Sequence, residues 1–228
     1  MEQTHLRALS REQLNEARRR LVQMHYRAKV GHLGGNLSAL DATMLVHHRY
    51  MVDDAQFILS KGHSAGALYV ALWSLGRLTD ADLDTFHSDG TRLAGHPPSR
   101  GIEGVPFATG SLGHGLSLAA GTAMARKLRG HPGRVFCLTS DGEWQEGSTW
   151  EALIFAHHRR LANLTVLVDH NGLQGFGRTD EVASMSPLWH RLQGFDLNLQ
   201  VVDGHDIDAI DAALSAPSIP PQTQPPPS

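Results

Sequence analysis

A chain of 228 residues with 41% hydrophobic residues has enough apolar material for one domain of ordinary size around a single sizeable core. Its formal net charge of −3 excludes the chain-wide basic field that a nucleic-acid partner requires, and no apolar run is long enough to cross a bilayer, so a soluble cytoplasmic protein is expected. The single cysteine, Cys137, lies in an apolar run and can build neither a disulfide framework nor a thiolate metal site, so it reads as core.

In chain order, Ser10 and Gln13 form a capping-box pattern, and Leu14, Ala17, Leu21, Met24 and Ala28 then recur at helical spacing, predicting a first helix that ends near Val30-Gly31. Ser38 and Asp41 read as the start of a second helix running towards Met51. Phe57-Ile58-Leu59 is a short buried strand. Leu68, Tyr69, Leu72 and Leu75 mark a third helix over 64–75, stopped by Gly76, and a fourth begins at Thr79. Residues 87–112 show no period and are rich in Gly and Pro, which marks a functional loop. The second half predicts strand 135–139, helix 149–161, strand 164–169, strand 197–202 and helix 206–214. Apolar strands alternating with helices indicate an α/β fold, a parallel sheet flanked by helices on both faces. One domain over 1–215 is expected, with a Pro-rich disordered tail over 216–228.

The strand over 135–139 runs into Ser140-Asp141-Gly142, and the strand over 164–169 ends in Asp169-His170-Asn171-Gly172. If these strands pair, Asp141 and Asn171 stand on neighbouring carboxyl-terminal tips, where open α/β sheets bind ligands. A hard divalent cation wants oxygen donors, and Asp141, the Asn171 amide and a nearby carbonyl would suffice for a magnesium-held diphosphate, with Gly142 letting the backbone approach the phosphates. Taken singly, Asp-Gly and Asn-Gly are ordinary turn dipeptides.

The interval between them says more. Ser-Asp-Gly followed about thirty residues later by Asn resembles the signature of thiamine-diphosphate enzymes. The segment Asp141-Gly142-Glu143-Trp144-Gln145-Glu146-Gly147 with Trp150-Glu151-Ala152 resembles that of transketolases. So do Gly31-His32-Leu33-Gly34-Gly35, Ser60-Lys61-Gly62-His63, Gly95-His96-Pro97 and Thr109-Gly110-Ser111-Leu112-Gly113, all in family order over about residues 20 to 210. The resemblance is to the amino-terminal subunit of split transketolases.

That resemblance implies the thiamine-diphosphate-binding fold of the diphosphate domain. It implies Asp141, Asn171 and the Leu173 carbonyl as ligands of Mg²⁺ (or Ca²⁺ or Mn²⁺), and His63, Gly110, Ser111, Leu112, Gly142 and Glu143 around thiamine diphosphate. His32, His96 and His63 would serve the substrate, and Glu146, ahead of Glu151, a carboxylate network across a subunit interface. The implied reaction transfers a two-carbon ketol unit from a ketose donor to a carbonyl acceptor. In the family the glutamate that activates the aminopyrimidine belongs to a pyrimidine-binding domain, so a companion pyrimidine-binding subunit in an α2β2 complex is expected.

Three departures stand out: Ser140 replaces a leading glycine and His170 an asparagine, His114 stands where glutamine is common, and a Pro-rich tail occupies the place of a further strand and a site-closing segment. His114 is therefore a candidate for proton handling, and a more open channel admitting a bulky specialised metabolite is expected. The paired His47-His48 and His157-His158 sit inside predicted helices and read as packed or solvated. Rival readings are the α subunit of a 2-oxo acid dehydrogenase, a non-catalytic assembly subunit, and a zinc hydrolase, for which no His-Glu-x-x-His arrangement is present.

Overall fold

The structure, a computed structural model, describes residues 9–216. The first helix, α1 (Arg11–Ala28), opens on the expected capping box: Gln13 N donates to Ser10 Oγ (3.1 Å) and Ser10 N to Gln13 Oε1 (2.9 Å). Next come α2 (Leu33–Leu45), whose last turn continues as a π-helical turn (Val46–Tyr50), strand β1 (Gln56–Leu59), helix α3 (Ala65–Ser74) and the single turn α4 (Asp80–Leu83). Helix α5 (Gly115–Arg129), strand β2 (Val135–Ser140), helix α6 (Gly147–His158) and strand β3 (Leu164–Asp169) follow. A two-residue hairpin, β4 (Leu173–Gln174) with β5 (Gly177–Arg178), then leads to the short helices α7 (Thr179–Ala183) and α8 (Leu188–Leu192) and to α9 (Ile207–Ser215).

β1, β2 and β3 form a parallel sheet in that order. Strand periodicity sorts the core onto its two faces. Phe57, Leu59, Phe136 and Leu138 pack with α1, α2 and α3, while Ile58, Val135 and Cys137 pack with α5, α6 and Trp144. β2 is buried at every position because it is paired on both edges and covered on both faces.

Three expectations are corrected. Helix α2 begins at Leu33, five residues before Ser38, with His32 at its N-cap in the left-handed region (φ 63°). A Cβ at Gly35 would lie 3.3 Å from Lys61 Nζ, so glycine here lets the helix approach a buried lysine. Residues 197–202 form no strand. An apolar run becomes a strand only with a partner at ladder spacing, and between this segment and β3 lies a 530 Å³ cavity, floored by Ala39, Ala42, Leu188 and Leu192. Helix α5 has no counterpart among the elements expected from the sequence. Its buried stripe is Leu116, Ala119, Ala120 and Ala123, mostly alanine and so weak as a hydrophobic signal.

Cys137 is fully buried, as expected. Of the expected tail over 216–228, all but Ala216 lies outside the described residues. Among the described residues no helix is long and apolar enough to cross a membrane.

Candidate cofactor site

The register of β2 and β3 sets Ser140 beside Asp169, and the ladder extends one step further, with Asp141 N donating to Asp169 O (3.1 Å). Asp141 is buried and accepts three hydrogen bonds: Gly142 N to Oδ1 (2.9 Å), and Gly172 N (2.8 Å) and Thr179 Oγ1 (3.1 Å) to Oδ2. A carboxylate offers about four acceptor sites, so roughly one remains for a further electropositive partner. Asn171 stands on the adjacent tip, its Nδ2 donating to Ser38 Oγ (3.1 Å) and its Oδ1 accepting from Leu173 N (2.9 Å). The structure thus brings Asp141 and Asn171 together, with Leu173 two residues on at the start of β4. Carboxylate, amide oxygen and carbonyl form a hard oxygen donor set that suits a magnesium-type ion. Among the described residues no group of three or more His, Cys, Asp or Glu converges to hold a metal.

A second assembly lies over β1. Asn36, buried in α2, donates through Nδ2 to the carbonyls of His32 (2.9 Å) and His63 (3.0 Å) and accepts from Ala67 N (2.8 Å). One amide therefore ties two histidine-bearing segments together, and the His32 and His63 rings stand 5.3 Å apart. Gly110, at φ 138°, lies against His96; a Cβ there would meet the His96 ring at 2.6 Å. Burial, then the charges of Lys61, His32 and His96, lowers His63 to about pKa 4. Burial and the neighbouring His32 and His87 also lower His96. Both are neutral imidazoles at neutral pH, able to donate and to accept a proton.

Depressed histidine pKa values have a stability consequence. For His63 and for buried His47, also lowered to about 4 by burial, the unfolded chain binds more protons than the folded one between about pH 6.5 and 4. Stability therefore rises with pH across that window and is lost as pH falls through it. Thermal denaturation from pH 7.5 to 4.5 should show Tm falling from about pH 6.5 downward; a flat profile would contradict the neutral assignment.

Glu143 holds these parts together from beneath. It is buried, and it accepts from Ser60 Oγ and Gly113 N (3.0 Å) at Oε1 and from Ser140 N (2.9 Å) at Oε2, while burial pushes its carboxyl up. Both oxygens accept from protein donors, so Glu143 is a clasp joining the ends of β1 and β2 to the 109–113 loop. The loop is also pinned by Thr109 Oγ1 donating to Leu59 O (2.5 Å) and passes so close to Gly62 that a Cβ there would lie 2.6 Å from Gly110 N. Gly62→Ala should displace residues 109–110 and weaken thiamine diphosphate binding by about tenfold or more, read by calorimetry; unchanged affinity would show that the loop does not shape the site.

Other expected residues lie at the rim. Ser111 is exposed and Leu112 half-buried. His114 is exposed just before α5, its Nδ1 bonded to Leu112 O (2.9 Å). Glu146 is exposed at the start of α6 with no capping hydrogen bond, and Glu151 is exposed one turn on. His47 and His48 are buried, His47 Nδ1 bonding Thr43 O (2.9 Å), while His157 and His158 are exposed on α6. Sequence reasoning missed Asn36, Lys61, Ser38 and Asp169. Lys61 is buried and ion-paired with Asp169, and donates to Gly35 O (2.8 Å).

The decisive comparison is with the family model described as transketolase, thiamine diphosphate binding domain, which matches residues 10–222. The chain belongs to this family. This transketolase domain is 36% identical over 211 residues to a 6-deoxy-6-sulfo-D-fructose transketolase subunit of a Clostridium strain, covering 89% of this chain and 77% of that protein. It is 35% identical over 207 residues to an apulose-4-phosphate transketolase subunit of Phocaeicola vulgatus, covering 87% and 73%. The solved transketolase of Campylobacter jejuni superposes with a TM-score of 0.79 at 28% identity over 89% of this chain, and that of Leishmania mexicana with 0.77 at 25% over 90%. The chain spans 34% of the length of each of those two proteins.

Proposed function

We propose that this chain is the diphosphate-binding subunit of a two-polypeptide transketolase, transferring a two-carbon ketol unit from a ketose to a carbonyl acceptor. The observation that carries the reading is the register that seats Asp141 against Gly172 and beside Asn171, next to a loop set against neutral histidines. Asp141, Asn171 and the Leu173 carbonyl would hold Mg²⁺, or Ca²⁺ or Mn²⁺ in its place. Gly142 and His63 would hold the diphosphate, and Gly110, Ser111 and Leu112 the rings. Thiamine diphosphate, when bound, supplies the carbanion that the cleavage of a carbon–carbon bond next to a carbonyl requires.

The chain's own groups handle protons and position. His32 and His96 would face the ketose hydroxyls, His96 as a neutral imidazole that takes the proton of the hydroxyl on the departing carbon as its carbon–carbon bond breaks, and returns one to the acceptor oxygen. His114 would add a titratable group beside the loop. Glu146 and Glu151 would meet a companion pyrimidine-binding subunit, in an α2β2 cytoplasmic complex. Exposed Ile154 and Phe155 on α6 and Leu128 on α5 support an apolar contact there. The relatives named for sulfofructose and apulose 4-phosphate support a specialised sugar or another bulky carbonyl compound as substrate.

The test assembles the chain with its companion and supplies a panel of ¹³C-labelled ketoses, including 6-deoxy-6-sulfofructose and apulose 4-phosphate, with aldehyde acceptors. Transfer of a labelled two-carbon unit by the complex and none by this chain alone is the expected result. Decarboxylation of a 2-oxo acid, with no ketol transfer, would overturn it.

A further inference from the structure

Asn171 has to present its amide oxygen, not its nitrogen, to a cation, and a free amide flips readily between the two. What surrounds it decides the matter. Its Nδ2 lies 3.1 Å from Ser38 Oγ, and Ser38 Oγ lies 2.6 Å from Asp169 Oδ2. A hydroxyl has one proton, and a carboxylate can only accept. Of the two acceptors within reach, Asp169 Oδ2 and the Gly35 carbonyl at 3.2 Å, the nearer and charged one takes the Ser38 proton, so Ser38 can only accept from Asn171, which obliges Asn171 to turn its NH₂ towards Ser38. Its oxygen is left to Leu173 N and to a ligand.

The chain of orientation has a fixed origin. The same Asp169 Oδ2 is ion-paired with Lys61, whose ammonium is buried and also donates to Gly35 O, in the segment of α2 that carries Ser38. Asp169 is nearly buried, its side chain 8% exposed, so its charge is held by Lys61 rather than by water. The order is Lys61, Asp169, Ser38, Asn171, with every proton position determined by its neighbour.

We infer that Lys61, Asp169 and Ser38 are positioning residues that fix the amide orientation of Asn171 and so set the affinity of the cation site. This rests on the reading of Asn171 as a cation ligand. Removal of an outer partner of this kind typically costs about 10–100-fold in metal affinity. Ser38→Ala removes the acceptor of the Asn171 amide nitrogen and leaves Leu173 N alone to hold the orientation. Asp169→Asn should keep the relay's polarity, because the oxygen that meets Ser38 also meets Lys61, whose ammonium can only donate, so an amide at 169 keeps its oxygen at that position and loses only the charge.

The experiment titrates the full chain with Mn²⁺ in the presence of inorganic pyrophosphate, reading free Mn²⁺ by electron paramagnetic resonance, and separately measures pyrophosphate affinity at saturating Mn²⁺. Ser38→Ala should weaken Mn²⁺ binding by about tenfold or more while leaving pyrophosphate affinity at saturating Mn²⁺ within about twofold, and Ser38→Thr, which keeps the hydroxyl, should restore wild-type Mn²⁺ affinity. A general loosening of the fold would move both constants and would not be repaired by Thr; that outcome overturns the inference. Wild-type Mn²⁺ affinity in Ser38→Ala, with Asn171→Ala still defective, overturns the relay and leaves the cation reading intact. Wild-type Mn²⁺ affinity in Asn171→Ala, or no Mn²⁺ binding by the wild-type chain, overturns the cation reading and the relay with it.

Discussion

Asp141→Asn is expected to weaken Mg²⁺-dependent binding of thiamine diphosphate by about 100-fold or more, the upper end of what outer partners of a metal cost, because here the ligand itself loses its charge. The substitution removes the one carboxylate among the proposed donors. It also places an NH₂ group against the N–H of Gly142 or of Gly172, where only an acceptor fits. The lost hydrogen bond costs about 1–3 kcal/mol of stability, so thermal denaturation must accompany the titration. A folded Asp141→Asn protein that binds cofactor as the wild type does would remove Asp141 from the site.

Glu143→Ala should act mainly on the fold. It strands three donors, Ser60 Oγ, Gly113 N and Ser140 N, in a region that water does not reach. At about 1–3 kcal/mol for each unsatisfied buried group, a loss of about 3–9 kcal/mol follows, or roughly 6–36 °C in Tm for a domain of this size. Glu143→Gln should lose less, since Oε1 can still accept from Ser60 and Gly113 while the amide nitrogen opposes only Ser140 N. A Tm in Glu143→Ala within about 2 °C of the wild type would show that the clasp is unimportant.

The carboxyl-terminal tips of β2 and β3 were legible in the sequence because each is an apolar run ending abruptly in a polar residue and glycine, and a parallel sheet turns such ends into a ligand site. The histidines were legible only through the motifs around them. What holds them was not: Asn36 reads as one more polar residue near glycines, yet it ties His32 to His63. The Lys61–Asp169 pair joins residues 108 positions apart, and no local pattern marks it. Glu143 was visible inside its motif, but whether it faces ligand or protein depends on how the 109–113 loop folds back. Helix α5 shows the limit of hydrophobic contrast, since alanines at helical spacing bury well and signal poorly. The 197–202 segment shows the converse, an apolar run without a ladder partner.

The central claim is that this chain by itself carries the metal and diphosphate half of a thiamine diphosphate site. Isothermal titration of the wild-type chain with thiamine diphosphate, in Mg²⁺ and again in excess EDTA, tests it most directly. Saturable one-to-one binding that requires Mg²⁺ is the predicted result; no binding in Mg²⁺, or equal binding in EDTA, would contradict it.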